Sequence, residues 1–237
     1  MKIIFSTLPR ATLLIASLLL TGCAGTRNTS DPFEPINRSI YRFNDSVDQA
    51  VIKPAARGYN NVMPAVGKIM VNNFISNLDD VLVTANDLLQ FKFSQAASDG
   101  ARVLFNSTFG VFGLIDVAHR LEKHNEDFGQ TLGYWGLDSG PYLVLPILGP
   151  STLRDASGLY VDSLASVPSN THHIPTRNQY YALNGIHTRA MLLDKEEVLD
   201  EAVLDRYEFI RDSYILRRKN LVYDGNLPRA RYDEWEE

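Results

Sequence analysis

The chain of 237 residues has one cysteine, Cys23. No internal disulfide can form, so the fold is not a crosslinked scaffold. It also lacks any apolar run near the roughly 20 residues that cross a bilayer. Positive charge is scarce: 23 Lys and Arg face 28 Asp and Glu. That balance excludes a nucleic-acid partner, whose phosphates need a basic face. It also excludes polybasic docking on anionic lipid. Catalytic signatures are missing too. No GxxxxGK[ST] is present, because Gly67-Lys68 has no upstream glycine in register. Gly136 to Gly140 reads GLDSG, with its serine one place late for a nucleophile elbow. No HExxH occurs, His119 and His124 are five apart, and His172-His173 sit in a proline-bearing stretch. The sequence therefore assigns no catalytic residue, no metal ligand and no cofactor, and the chain reads as a non-enzyme. Glu126-Asp127 is either an acid-base pair or a pair of acids at a helix N-terminus, where the dipole favours them. Arg154-Asp155 is either a buried ion pair or a surface pair.

What is present begins at the N-terminus. Lys2 and Arg10 flank a start without acids, ATLLIASLLL follows, and LTGC ends at Cys23. This is the pattern of a secretory signal peptide over residues 1–22. Leu20-Thr21-Gly22-Cys23 resembles the bacterial lipobox, which makes Cys23 the site of a covalent diacylglycerol and an N-acyl chain. Ala24 after it resembles lipoproteins sorted to the outer membrane. Removing residues 1–22 takes two cations and no acid, so 21 cations face 28 acids and the net charge becomes −7. Residues 23–30 form a lipidated tether, and its seven residues after the cysteine reach at most about 25 Å. The body, residues 31–237, must then lie at or in the membrane that holds the acyl chains, and a single domain accounts for it.

Helical patterns fill most of that body. Asp31-Pro32 predicts a helix start, and Ile36, Ile40, Phe43 and Val47 form one stripe. Pro54 is expected to stop that helix. Phe74, Ile75, Leu78, Val81, Leu82, Ala85, Leu88 and Leu89 keep helical spacing, as do Ala97, Ala101, Leu104 and Phe105 within 94–108. Ser151 is a candidate cap for a helix through Leu159, Val161 and Leu164. Residues 166–178 read as a loop. Leu192, Leu199, Val203, Tyr207, Ile210 and Tyr214 read as one stripe, and the last nine residues as a frayed tail.

Two segments break this pattern. STFGVFGLIDVA, 107–118, is apolar at almost every position, which predicts a short helix buried in protein or lipid. Phe109, Val111, Phe112, Leu114 and Ile115 are its candidates for lipid contact. EDFGQTLGYWGLDSGPYLVLPILGP, 126–150, is apolar yet interrupted by glycine and proline. Gly129, Gly133, Tyr134, Trp135, Gly140, Pro141, Tyr142, Pro146 and Gly149 are the breaks and aromatics within it. No strand pattern is evident. The expected fold is all-α: a compact bundle of roughly eight helices, several short and interfacial, with one broken Gly/Pro-rich apolar segment.

Four ordered blocks resemble the MlaA/VacJ family of outer-membrane lipoproteins. SDPFEPINRSIYRFN supplies Asp31, Pro32, Asn37, Arg38, Phe43 and Asn44. NFISNLDD with NDLLQ is the second block. RVLFNSTFGVFGLIDVA supplies Asn106, Gly110, Gly113 and Asp116. DFGQTLGYWGLDSGPYLVLPILGPSTLRD ends in Arg154 and Asp155. Ile186 to Ala190 follows as a shorter match. The resemblance implies a helical ring in the inner leaflet of the outer membrane of a Gram-negative bacterium, anchored from the periplasmic side. It implies a channel that removes phospholipids mislocalised in the outer leaflet and so maintains lipid asymmetry, with the glycines, prolines and aromatics of 129–149 as candidates for its mouth or support. Phospholipid is the cargo, trimeric porins are partners, and a soluble periplasmic lipid carrier is the acceptor. Two rival readings are a structural lipoprotein that organises porins and a membrane-bound lipase or esterase.

Overall fold

A computed structural model describes residues 31–202 and 204–227, with side chains absent from the description between 197 and 203. The signal segment, Cys23, the tether, Val203 and the RARYDEWEE tail lie outside the described residues. The elements in chain order are α1 (Glu34–Val47), a π-turn (Asp48–Ile52), α2 (Lys53–Val62), α3 (Ala65–Leu89) and α4 (Phe93–Thr108). They continue with α5 (Phe128–Tyr134), strands β1 (Tyr142–Leu145) and β2 (Gly149–Thr152), α6 (Leu153–Ala165), α7 (Ile174–Ala202) and α8 (Arg206–Val222). The architecture is α-helical, as the periodicities predict, with eight α-helices among the described residues.

Several local expectations are corrected. α1 starts at Glu34, with Pro35 in its first turn, where a missing N–H is harmless. Asp31 caps no helix there; it is fully buried and accepts from Asn37 Nδ2 at 2.8 Å. Pro54 does not end the helix. The π-turn frees the backbone before it, so Pro54 falls in the first turn of α2 and the rod continues. The capping oxygen of α6 belongs to Thr152, not Ser151: it accepts from Asp155 N at 3.2 Å. α7 begins at Ile174, inside the expected loop, with Pro175 again in a first turn. The C-terminal stripe is split, because α7 ends at Ala202 and Asp205 caps a new helix through the amides of Tyr207 (2.9 Å) and Glu208 (3.2 Å).

The two broken segments also differ from expectation. α4 ends at Thr108, and the apolar run beyond it is a turn-rich loop rather than a helix. Val111 (φ 54°), Phe112 (φ 58°) and Gly113 (φ 90°) lie in succession in the left-handed region, which no helix of L-residues continues. The second segment contains a β-hairpin that the sequence did not signal. Tyr142 pairs with Thr152 and Leu145 with Gly149, antiparallel, around a turn at 146–148. Its strands are four residues long and its turn has none of the Asn-Gly chemistry that marks a hairpin.

The main surprise is which faces point inward. On α3, Asn77, Asp80, Asn86 and Asp87 are buried while Val81, Leu88 and Leu89 are exposed. On α4, Asp99, Arg102 and Asn106 are buried while Leu104 and Phe105 are exposed. Among the described residues twenty-one polar or charged side chains are buried against nine apolar ones, four of which are alanines. Among the described residues the one apolar cluster, Tyr142, Val144 and Tyr207, sits where β1 meets α1 and α8. A water-soluble domain has the opposite partition.

The packing order closes on itself. α1 packs on β1, and through the π-turn and α2 it reaches α7. α7 then packs on α3, α3 on α5, α5 on α8, α8 on β2, and β2 returns to β1. α4 and α6 lie against this circuit, on α3 and α5 respectively. No helix among the described residues is long and apolar enough to cross a membrane.

Candidate functional site

The polar interior is built from three linked clusters, each holding one of the broken segments in place. The first fixes the apolar loop after α4. Asn106 and Arg102 are one turn apart on the inner face of α4, so both reach the returning loop. Asn106 Nδ2 donates to Asp116 Oδ1 at 3.0 Å, and Ala118 N donates back to Asn106 Oδ1 at 3.0 Å. The Arg102 guanidinium donates to Asp116 Oδ2 (3.0 Å) and to the carbonyls of Ala118 (3.0 Å) and Leu121 (3.1 Å). Burial alone would raise the Asp116 pKa, but Asn106 and Arg102 outweigh it and hold the carboxyl below the usual range. A Cβ on Gly110 would lie 2.1 Å from the carbonyl oxygen of Ile115, and one on Gly113 would lie 2.7 Å from Asn77. These contacts explain Asn106, Gly110, Gly113 and Asp116 as the residues that fold the loop. Folded this way, it turns Phe109, Val111, Phe112 and Ile115 outward, between 50% and 77% exposed, while Leu114 is half-buried.

The second cluster surrounds α5. Asp127 caps α5 through Gln130 N at 2.8 Å, so the helix-terminus alternative for Glu126-Asp127 holds for Asp127. Arg218 reaches from α8 to Asp127 Oδ1 and Asp155 Oδ1, each at 2.9 Å. Arg154 donates to the same Asp155 oxygen at 3.0 and 3.1 Å, and the Tyr214 hydroxyl to the other at 3.0 Å. Arg154-Asp155 is thus a buried pair, closed by a third member that sequence reasoning missed. Burial pushes both Asp127 and Asp155 up, yet Arg218 holds both below the usual carboxylate range. Gly129 and Gly133 leave room for this network, since a Cβ would lie 2.9 Å from Asp155 Oδ1 or 2.6 Å from Arg154 NH1. Gln90, Glu126, Lys92 and Thr131 extend the network. Gln90 Nε2 donates to Glu126 at 2.8 Å and Thr131 Oγ1 to Asn86 at 2.8 Å. Asp87, fully buried with neither oxygen hydrogen-bonded among the described residues, is pushed up to about 7 by burial and by the charges of Asp99 and Glu126.

The third cluster ties the hairpin to α1. Asn37 and Asn44 are seven residues apart and share a helix face. Asn37 donates to Tyr142 O (3.0 Å) and accepts from Val144 N (2.9 Å). Asn44 donates to Leu145 O (2.9 Å) and accepts from Ile147 N (2.7 Å). Two side-chain amides therefore satisfy the outer edge of β1 as a neighbouring strand would. Arg38 lies beside them, paired with Glu34 (2.7 Å) and Asp205 (2.9 Å), and Phe43 points outward. Farther round, His187 Nδ1 lies 2.9 Å from the Tyr59 hydroxyl, and Arg189 grips Asp48 at 2.8 and 2.9 Å.

The other nominated positions divide. Tyr134, Trp135, Gly140 and Pro146 are exposed, Pro32, Pro141 and Gly149 are half-buried, and Tyr142 enters the apolar cluster. Cys23 lies outside the described residues. Of the residues missed, Asp80, Asp87 and Arg102 had one available signal and Arg218 had none. Asn77, Asp80, Thr84 and Asp87, like Asp99, Arg102 and Asn106, keep helical spacing of their own. His124 pairs with an acid, its Nδ1 2.6 Å from Asp99 Oδ2. Its Nε2 meets Glu122 at 3.8 Å rather than a hydroxyl, so no nucleophile is activated there.

The family described as MlaA lipoprotein matches residues 29–221. An intermembrane phospholipid transport system lipoprotein of Shigella flexneri is 35% identical over 227 residues, covering 91% of this chain and 89% of the relative. Proteins of the same description from Escherichia coli strain K12 and Haemophilus influenzae are 34% and 32% identical, over 91% and 93% of this chain and 89% and 92% of their own. A solved structure concerned with the maintenance of bacterial outer membrane lipid asymmetry aligns with a TM-score of 0.72 at 32% identity. It covers 81% of this chain and 99% of its own.

Proposed function

The chain belongs to the MlaA lipoprotein family, and from that membership we propose that it is an outer-membrane lipoprotein of intermembrane phospholipid transport that maintains lipid asymmetry. The observation that carries the proposal beyond family membership is the inverted partition of side chains. A closed circuit of helices buries acids, amides and arginines and exposes Phe109, Phe112, Leu104, Leu88 and their neighbours. Such a body is stable where its outer surface meets hydrocarbon or protein instead of water. A polar interior suits a charged head group that would otherwise cross hydrocarbon at several kcal/mol or more. Leaving the membrane exposes two acyl chains at about 0.8 kcal/mol per CH₂, roughly 20 kcal/mol in all, so the tails must pass to another apolar site.

In finer detail, the body lies in the inner leaflet of the outer membrane, tied by acyl chains on Cys23. It takes phospholipids mislocalised in the outer leaflet and passes them to a soluble periplasmic carrier, with trimeric porins holding it in place. The chain itself performs no hydrolysis in this account. Deleting the gene should raise outer-leaflet phospholipid and detergent sensitivity. The wild-type chain should reverse both, and Cys23→Ser should not. Unchanged outer-leaflet phospholipid after deletion would refute the transport reading, and full rescue by Cys23→Ser would refute the anchor.

A further inference from the structure

A cavity of about 330 Å³ lies between the 136–139 loop and α8. We propose that it is a subsite for the phosphodiester of a phospholipid head group, with Arg154, Arg218 and Lys219 facing the phosphate. The proposal rests on the transport reading and names the part of the lipid that the protein holds.

The wall of the cavity carries those three cations and one acid, Asp138. Asp155 and Asp127, the counter-ions of the two arginines, do not line the cavity, while Leu137, which does, accepts from Arg154 at its carbonyl at 3.4 Å. The arginines are therefore fixed in orientation and almost fully buried, at 8% and 9% exposure, and both belong to the cavity lining. Arg218 also keeps a buried Nε with no acceptor among the described residues. Lys219 is exposed and enters no ion pair among the described residues. Guanidinium groups held in this way are the usual donors to phosphate oxygens, and a free ammonium adds a mobile third.

The rim sets the class of ligand. Leu137 and Tyr223, which line the opening, are 53% and 44% exposed, and the neighbouring Trp135 is 53% exposed. An amphipathic aromatic beside a cation is the arrangement found at the head-group level of membranes. Inorganic phosphate would use the cations but leave the rim unused. A phospholipid uses both, with its phosphate inside and its glycerol and tails along the rim. Asp138 opposes binding by repulsion and supplies a change of opposite sign for the test.

The test uses the full lipidated chain in a zwitterion-free detergent, titrated calorimetrically with dihexanoyl phosphatidylglycerol. Lys219→Gln should weaken binding about fivefold and Asp138→Asn should tighten it by a similar factor, as expected for one exposed charge. Arg57→Gln, the same charge change on a helix that does not border the cavity, should leave binding unaltered. Dihexanoylglycerol, which lacks the phosphate, should bind at least about tenfold more weakly, and inorganic phosphate should compete only at far higher concentration. Equal binding of the phosphate-free lipid, or no response to either cavity variant, overturns the subsite. Inorganic phosphate binding as tightly as the lipid overturns the head-group assignment. If phospholipid is still captured by a cross-linker at Phe112, that failure belongs to the subsite alone. If no phospholipid is captured anywhere, the transport reading has failed with it.

Discussion

Replacing Arg218 by leucine should destabilise the fold by about 3–5 kcal/mol at neutral pH, the cost of leaving a buried charge without its partner. The geometry says where the loss falls. Asp155 loses a 2.9 Å contact but keeps Arg154 and the Tyr214 hydroxyl at 3.0 Å. Asp127 loses both of its guanidinium contacts and retains only the amide and side chain of Gln130, at 2.8 and 3.3 Å. The penalty therefore concentrates on Asp127, and Asp127→Asn in the same chain should recover part of it. The pH dependence follows in sign. In the wild type both carboxyls titrate below the usual range, so their contribution is present above the usual carboxylate pKa and is lost as pH falls through their lowered values. Without Arg218 burial dominates and the Asp127 pKa rises, so the variant is weakest at neutral pH and the gap from wild type closes on acidification. Urea unfolding of the lipidated protein in micelles at pH 4 and pH 7.5 measures this. A variant within about 1 kcal/mol of wild type at pH 7.5, or a gap that widens at pH 4, contradicts the network as described.

Asn37→Ala should cost about 2–3 kcal/mol by leaving the Val144 amide and the Tyr142 carbonyl unpaired. Hydrogen exchange should show fast exchange at Val144, and retained protection there would contradict the side-chain clamp. Gly110→Ala should cost at least about 3 kcal/mol, because the new Cβ would lie 2.1 Å from the Ile115 carbonyl oxygen, in a loop that Arg102 and Asn106 tie down through Asp116 and Ala118. Calorimetric melting tests it, and a wild-type melting temperature would mean that the loop is freely mobile. Asp87→Asn should stabilise the protein. Because the folded Asp87 pKa is raised to about 7, the unfolded chain ionises first, and stability drains away as pH climbs from about 4 to 7. The variant should gain up to about 4 kcal/mol at pH 8 and little at pH 4. An equal gain at both pH values would place the effect outside ionisation.

The ordered blocks made the family legible, and 3.6-residue spacing the helical class, whereas the helix ends were misread at Asp31, Pro54 and Ser151. The direction of each helix face was not legible. Leu88, Leu104 and Phe105 keep core-like spacing in any solvent, and only their placement tells that Asp80, Asp87 and Arg102 took the interior. The hairpin escaped because its edge is satisfied by Asn37 and Asn44, more than a hundred residues away, and not by strand-like neighbours. The loop after Thr108 looked helical because its apolar residues are continuous. What breaks it, two non-glycine residues at positive φ tied by Asn106 and Asp116, is a tertiary effect. Arg218 joined Asp127 and Asp155 from the far end of the chain, beyond the reach of motif spacing.

The central claim is that the apolar outer surface of this circuit faces phospholipid. The most direct measurement places a photo-cross-linking residue at Phe112, which is 77% exposed, in the intact chain within the outer membrane. The account predicts covalent capture of phospholipid there, and none at fully buried Ala56 on α2, which packs against α7. Capture of phospholipid at neither position, or of protein alone at Phe112, would contradict it.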